Sequence, residues 1–128
     1  MTFLLDTHAL LWLLSAPESL PDRVLSLIRD QSSRVLLSLI TPWEIAIKAK
    51  TGKLDVADLL DDFAAKMTRA KLEIVETTVA QVIRAGGLPL HHRDPFDRLL
   101  IAQAAELRVP IVSADQSFDF YEIPRIWE

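Results

Sequence analysis

Four acids in this 128-residue chain sit where an apolar run breaks off: Asp6 in "FLLDTH", Glu44 in "TPWE", Asp97 in "DPFD" and Asp115 in "IVSAD". Asp6 and Asp115 directly follow strand-like runs. Glu44 and Asp97 fall in the first turn of the helices expected to begin beside them. Carboxylates that meet in one cleft repel one another and resist ionisation. A hard divalent cation, Mg2+ or Mn2+, resolves the conflict because it prefers oxygen ligands. Such an ion polarises a phosphate, makes water easier to deprotonate, and offsets the charge that would otherwise reject an anion.

Each acid also has a plain structural reading. "TPWE" has the layout of a capping box, with Thr41 at the N-cap, Pro42 next and Glu44 at the third helical position. "DPFD" repeats it with Asp94, Pro95 and Asp97. Asp6 can cap a first helix and Asp115 can make an Asx-turn. Favourable contacts with helix dipoles are worth about 0.3–1 kcal/mol each. What separates the readings is position, because capping does not require the acids to share one edge of the fold.

The elements that must position them follow from periodicity. "TFLLD", "RVLLSLI", "LEIVE" and "VPIVSAD" read as short buried strands, and "IPRIWE" as a last edge strand, since Pro124 suits an edge. "THALLWLLS", "PDRVLSLIRDQ", "TPWEIAIKAKTGKL", "VADLLDDFAAKMTRAK", "TVAQVIRAGG" and "DPFDRLLIAQAAELR" read as helices. In the fourth, Leu59, Leu60, Phe63 and Met67 fall on one face of a continuous helix. Strands alternating with helices predict an α/β fold: a three-layer α/β/α sandwich with a mainly parallel central sheet, in one domain over residues 1–128. Open parallel sheets place their sites at the carboxyl ends of the strands. Asp6, Glu44 and Asp115 are directed to that rim, and Asp97 joins them if its helix starts there.

Half of the residues are apolar and a quarter are charged, which fits a globular domain with a sizeable core. Cysteine is absent, which removes disulfides, thiolate nucleophiles and Cys-based zinc sites. No apolar run is long enough to span a bilayer. The start lacks a basic segment before its apolar stretch, so neither a membrane span nor a signal peptide is expected, and a cytoplasmic location is. The net charge of −4 argues against a broad nucleic-acid-binding surface, although a bound cation would supply the charge locally.

Other residues carry weaker signals. Lys48, four after Glu44, is a helix ion-pair candidate and a possible phosphate contact. His91, His92 and Arg93 form either a solvated loop or a phosphate-steering cluster beside the rim. His8 is expected to pack against a neighbour. Trp12, Trp43 and Trp127 are expected to be core or interface anchors.

"LLDTHALLW", "TPWEIAIKAKTGKL", "LPLHHRDPFDRLLIAQA" and "VSADQSFDFY", in that order, resemble PIN-domain proteins of the VapC-type toxin group. The resemblance runs over nearly the whole chain. It implies a metal-dependent ribonuclease on a small α/β/α sandwich, with Asp6, Glu44, Asp97 and Asp115 as its acidic residues. Asp94 is a candidate fifth acid that also suits a cap before Pro95, and Ser113 matches the position of an assisting hydroxyl. On such a substrate, Lys48 and Arg93 are candidate RNA contacts from the residue readings above, not from the resemblance. The resemblance further implies a homodimer and inhibition by a small antitoxin whose tail enters the acidic groove.

Two other classes compete. An aspartyl-phosphate phosphotransfer domain would suit Asp6, but the haloacid-dehalogenase-like signature needs an Asp where His8 stands, and a receiver-like domain needs an acidic pair near Asp6. A non-catalytic α/β partner-binding module would use the acids as caps only, and would show no dependence on divalent metal.

Overall fold

The computed structural model describes residues 1–52, 56–91 and 94–128. Its framework is a five-stranded sheet in the order β3-β2-β1-β4-β5, with every neighbouring pair parallel. The strands are β1 (Thr2–Leu5), β2 (Arg34–Ser38), β3 (Leu72–Val75), β4 (Ile111–Val112) and β5 (Arg125–Ile126). β1 and β3 match their apolar runs to within a residue, whereas β2 stops at Ser38, before the Leu39 and Ile40 that its run "RVLLSLI" included. β5 lies at the edge, in keeping with Pro124 just before it. β4 is shorter than its apolar run predicts, because pairing covers only Ile111 and Val112.

The helices described are α1 (Thr7–Ser15), α2 (Asp22–Arg29), α3 (Thr41–Lys50), α4 (Ala57–Leu60), α5 (Phe63–Arg69), α6 (Val79–Gly87) and α7 (Pro95–Leu107). The alternation of β1 divides the interior into two layers. Phe3 and Leu5 face a cluster that includes Leu10 of α1, Val24 of α2, Ile45 of α3 and Met67 of α5. Leu4 faces the other way, onto Leu100, Ile101 and Ala104 of α7. α6 packs along α7. Helices thus cover both faces of the sheet, which is the three-layer α/β/α sandwich.

One expected helix is two. The segment after Val56 breaks between α4 and α5, where Asp62 takes the left-handed conformation at φ 51°. Asp tolerates that conformation better than most residues, and two adjacent aspartates are poor helix formers. Leu59, Leu60, Phe63 and Met67 still reach the same apolar cluster. The break re-aims the chain without losing the burial that the shared face predicted.

The tryptophans divide. Trp12 and Trp127 pack on each other and against the core, with ring centroids 5.6 Å apart. Trp43 is 61% exposed and is not a core residue, because it lies on the outer side of α3. His8 is exposed and packs on the Trp12 ring, as expected for a residue that faces a neighbour. No described helix is long and apolar enough to cross a membrane.

Candidate active site

Because the strands are parallel, the residues that leave β1, β2 and β4 emerge on one edge of the sheet. Asp6 is the first residue after β1, at the N-cap of α1, where a carboxylate oxygen accepts the Ala9 N–H at 2.8 Å. It is 7% exposed. Burial raises its pKa, and the side chain of Ser113, the Ala9 N–H and the charge of His8 work against that rise. Ser113 is fully buried just past β4, and its hydroxyl also accepts the Asp115 N–H at 3.0 Å. One hydroxyl therefore lies between two of the acids.

Glu44 reaches the rim differently from the capping box predicted by "TPWE". Ile40, not Thr41, is the N-cap of α3; Thr41 is already inside the helix, and its buried hydroxyl has no hydrogen-bond partner. Glu44 is therefore one position too far along to close the box. It is 4% exposed, and both of its carboxylate oxygens are engaged. The Thr7 hydroxyl donates to one at 2.6 Å, and the Lys48 ammonium donates to the other at 2.6 Å. Burial by itself would lower the Lys48 pKa, but the hydrogen bond and charge of Glu44, with Asp94 and Asp97 behind it, raise it overall.

α7 does begin as its letters predict. Asp94 caps it, accepting the N–H groups of Phe96 at 2.8 Å and Asp97 at 3.3 Å, with Pro95 in the first helical position. Asp97 follows in the first turn, and its carboxyl is pushed up to about 7. Burial is the main cause, followed by the charges of Asp94, Glu44, Asp6 and Asp115. Acids from four separate segments thus act on one carboxyl, so the start of α7 belongs to the same rim. Asp115 is exposed and makes the expected Asx-turn, accepting the Ser117 N–H at 2.9 Å.

All six acid and hydroxyl candidates therefore lie at the carboxyl edge, three of the acids as caps or turn-formers as well. Capping fixes the direction of a carboxylate, so the two readings coexist in the same side chain. Among the described residues, no three acid or histidine side chains are gathered tightly enough to hold a metal ion as they stand. The donor set fits a hard cation nonetheless: every donor is a carboxylate oxygen, and the mutual repulsion that raises Asp97 is what a cation relieves. Arg93 and His92 lie outside the described residues. His91 is exposed and stacks on Phe120, with centroids 5.2 Å apart.

Two contributors were not singled out from sequence. Thr7 follows Asp6 directly, and only the packing of α1 against α3 makes it a partner of Glu44. Arg98 is buried and donates to the carbonyls of Gly86, Leu88 and Pro89, at 3.3, 2.8 and 3.1 Å. It satisfies carbonyls left over at the end of α6 and ties residues 86–89 to α7. The available signal was a lone arginine ahead of the apolar run "LLIAQAA".

A family model of the PIN domain matches residues 3–125. No curated protein matches the chain. Among solved structures, a chain of VapBC2 from Rickettsia felis, bound to a DNA fragment from their promoter, is similar with a TM-score of 0.68 at 15% identity, covering 100% of both chains. A chain of VapBC-1 from nontypeable Haemophilus influenzae has a TM-score of 0.67 at 17% identity, over 98% of this chain and 97% of that one. A chain of a toxin-antitoxin complex from Klebsiella pneumoniae has a TM-score of 0.58 at 20% identity, over 96% and 94%. At these identities the likeness is one of fold, and it agrees with the match along the sequence. The chain belongs to the PIN-domain family.

Proposed function

We propose that the protein is a divalent-metal-dependent endoribonuclease and the toxin of a toxin–antitoxin pair. The observation that carries this reading is the convergence of Asp6, Glu44, Asp94 and Asp115 on the carboxyl of Asp97 in a PIN-domain chain. Asp6, Asp97 and Asp115 would hold Mg2+ or Mn2+, in part through water, and Glu44 completes the acidic wall. The ion, when bound, supplies the positive charge that an anionic phosphodiester and its transition state require.

The remaining work falls to the side chains. Asp6, clamped by the Ala9 N–H and the Ser113 side chain, is the rigid anchor of the set. Asp97, whose carboxyl is raised in the metal-free chain by burial and by the neighbouring acids, would be kept ionised by a bound cation and so serve as one of its ligands. Ser113 keeps Asp6 and the Asp115 backbone in register. RNA as the substrate and a homodimer follow the resemblance in the four motifs; a cytoplasmic location is part of the same proposal but does not come from the resemblance.

The antitoxin reading draws on the similar structures, which are toxin–antitoxin or VapBC assemblies by description. It is supported by an apolar groove of about 460 Å³ whose lining includes Leu39, Trp43, Val82, Pro95 and Leu99. Its Trp43 directly precedes Glu44 in the chain, and the Trp43 ring packs edge to face at 5.0 Å on Phe96, which directly precedes Asp97.

The test is incubation of the purified, partner-free protein with total bacterial RNA in Mn2+, Mg2+ or EDTA, beside Asp97→Asn. Discrete metal-dependent products absent from the variant are expected. Unchanged cleavage by Asp97→Asn would sink the site assignment, and no cleavage together with no metal binding would leave a partner-binding module.

A further inference from the structure

Both carboxylate oxygens of Glu44 are engaged by donors from within the chain. They accept from the Thr7 hydroxyl and the Lys48 ammonium, each at 2.6 Å, and the carboxylate is almost wholly removed from solvent. Lys48 is about two-thirds buried, one helical turn along α3, so its ammonium is directed by the helix itself. Thr7 comes from the first residue of α1, next to Asp6. A divalent ion seated on either Glu44 oxygen would stand close to the full positive charge of that ammonium and would be repelled by it.

Resting on the metal-site reading above, we propose that Thr7, Glu44 and Lys48 form a charge-neutral clamp in which Glu44 is a positioning residue rather than an ion ligand, leaving the divalent ion to Asp6, Asp97 and Asp115. The clamp ties the start of α3 to the start of α1, and so steadies the segment that carries Asp6. It does this with a carboxylate that adds a tether to the rim without adding a free negative charge. Lys48 is then a built-in counter-ion rather than a phosphate contact. Removing the ammonium alone would release Glu44 to act as an extra, unbalanced carboxylate.

The test is Mn2+ titration by calorimetry and the thermal midpoint of the metal-free protein, for wild type and three variants. Lys48→Met should bind Mn2+ about ten-fold more tightly, because a nearby positive charge is gone, and should melt earlier without metal. Lys48→Arg should retain wild-type behaviour in both. Lys48→Met combined with Glu44→Gln keeps the pair neutral, and its Mn2+ affinity should stay within about two-fold of wild type. A merely structural role for Lys48 would lower the midpoint and leave Mn2+ affinity unmoved, which would overturn the clamp. A double variant that binds Mn2+ at least about ten-fold more weakly would also overturn it, since that is the mark of a lost ligand. If wild type takes up no Mn2+, the metal-site reading itself fails and the clamp with it. If wild type binds and the double variant loses binding, only the clamp falls.

Discussion

The helices beginning at Thr41 and at Pro95 start from nearly the same letters, "TPWE" and "DPFD", and are secured in different ways. At α7 the local code is obeyed: Asp94 accepts two backbone N–H groups and Pro95 takes the first helical position. At α3 it is overridden. Thr41 is drawn into the helix with its hydroxyl unpartnered, and Glu44 turns to Thr7 on α1 and Lys48 one turn on. The difference lies in the neighbours. Glu44 meets a hydroxyl and an ammonium, one on each carboxylate oxygen. Asp97 is partly removed from solvent and meets four other acids, and its ionisation is resisted by burial first and by those charges second. A carboxylate's place in a motif fixes where it emerges; its surroundings fix its charge.

The comparison is sharpened most strongly at Asp97. Asp97→Asn should lower metal-dependent RNA cleavage by about 10²–10³-fold, the scale for losing one group that stabilises transition-state charge, measured by initial rates on a fixed RNA. The same residue should shape the stability of the metal-free protein. Its folded pKa of about 7 lies above the ordinary value of 3.8, so the folded state holds a proton that the unfolded chain has already released. Stability should therefore fall as pH rises from about 4 to about 7 and level off beyond, by at most about 4 kcal/mol. Thermal melts across that window should show the decline in wild type, and Asp97→Asn should flatten it. A decline of the same size in the variant would assign it to other groups.

Thr7→Val strands one buried oxygen of Glu44 and should cost about 1–3 kcal/mol by denaturant melting. Asp94→Ala removes an ordinary cap and should cost about 1 kcal/mol. Thr41→Val removes a hydroxyl that bonds to nothing, so it should be neutral within about 0.5 kcal/mol or slightly stabilising. If Thr41→Val costs as much as Asp94→Ala, the two helix starts are alike after all and the capping box at "TPWE" stands.

Much of this was legible in the letters because strand and helix periods differ and because Pro, Asp and Gly punctuate them. The run ending at Leu5, and the helix opening at Pro95, reflect local physics that any fold must respect. The break at Asp61 and Asp62 was missed because the apolar face of "LLDDFAAKM" is periodic whether or not the backbone stays helical across it. Thr7 and Arg98 were missed because their partners lie 37 and about ten residues away in sequence, and no local pattern encodes such pairs.

By itself the sequence determined the alternation of strands and helices, the burial of the strands and the placing of acids at their exits, since these depend on residues a few positions apart. The tertiary structure decided the strand order β3-β2-β1-β4-β5, which of the acids share a field, and that Glu44 also meets Thr7 from another helix. Those outcomes depend on charges brought close across the sheet. Coulomb energies and desolvation depend on distance and burial in the folded chain, and both are created by folding.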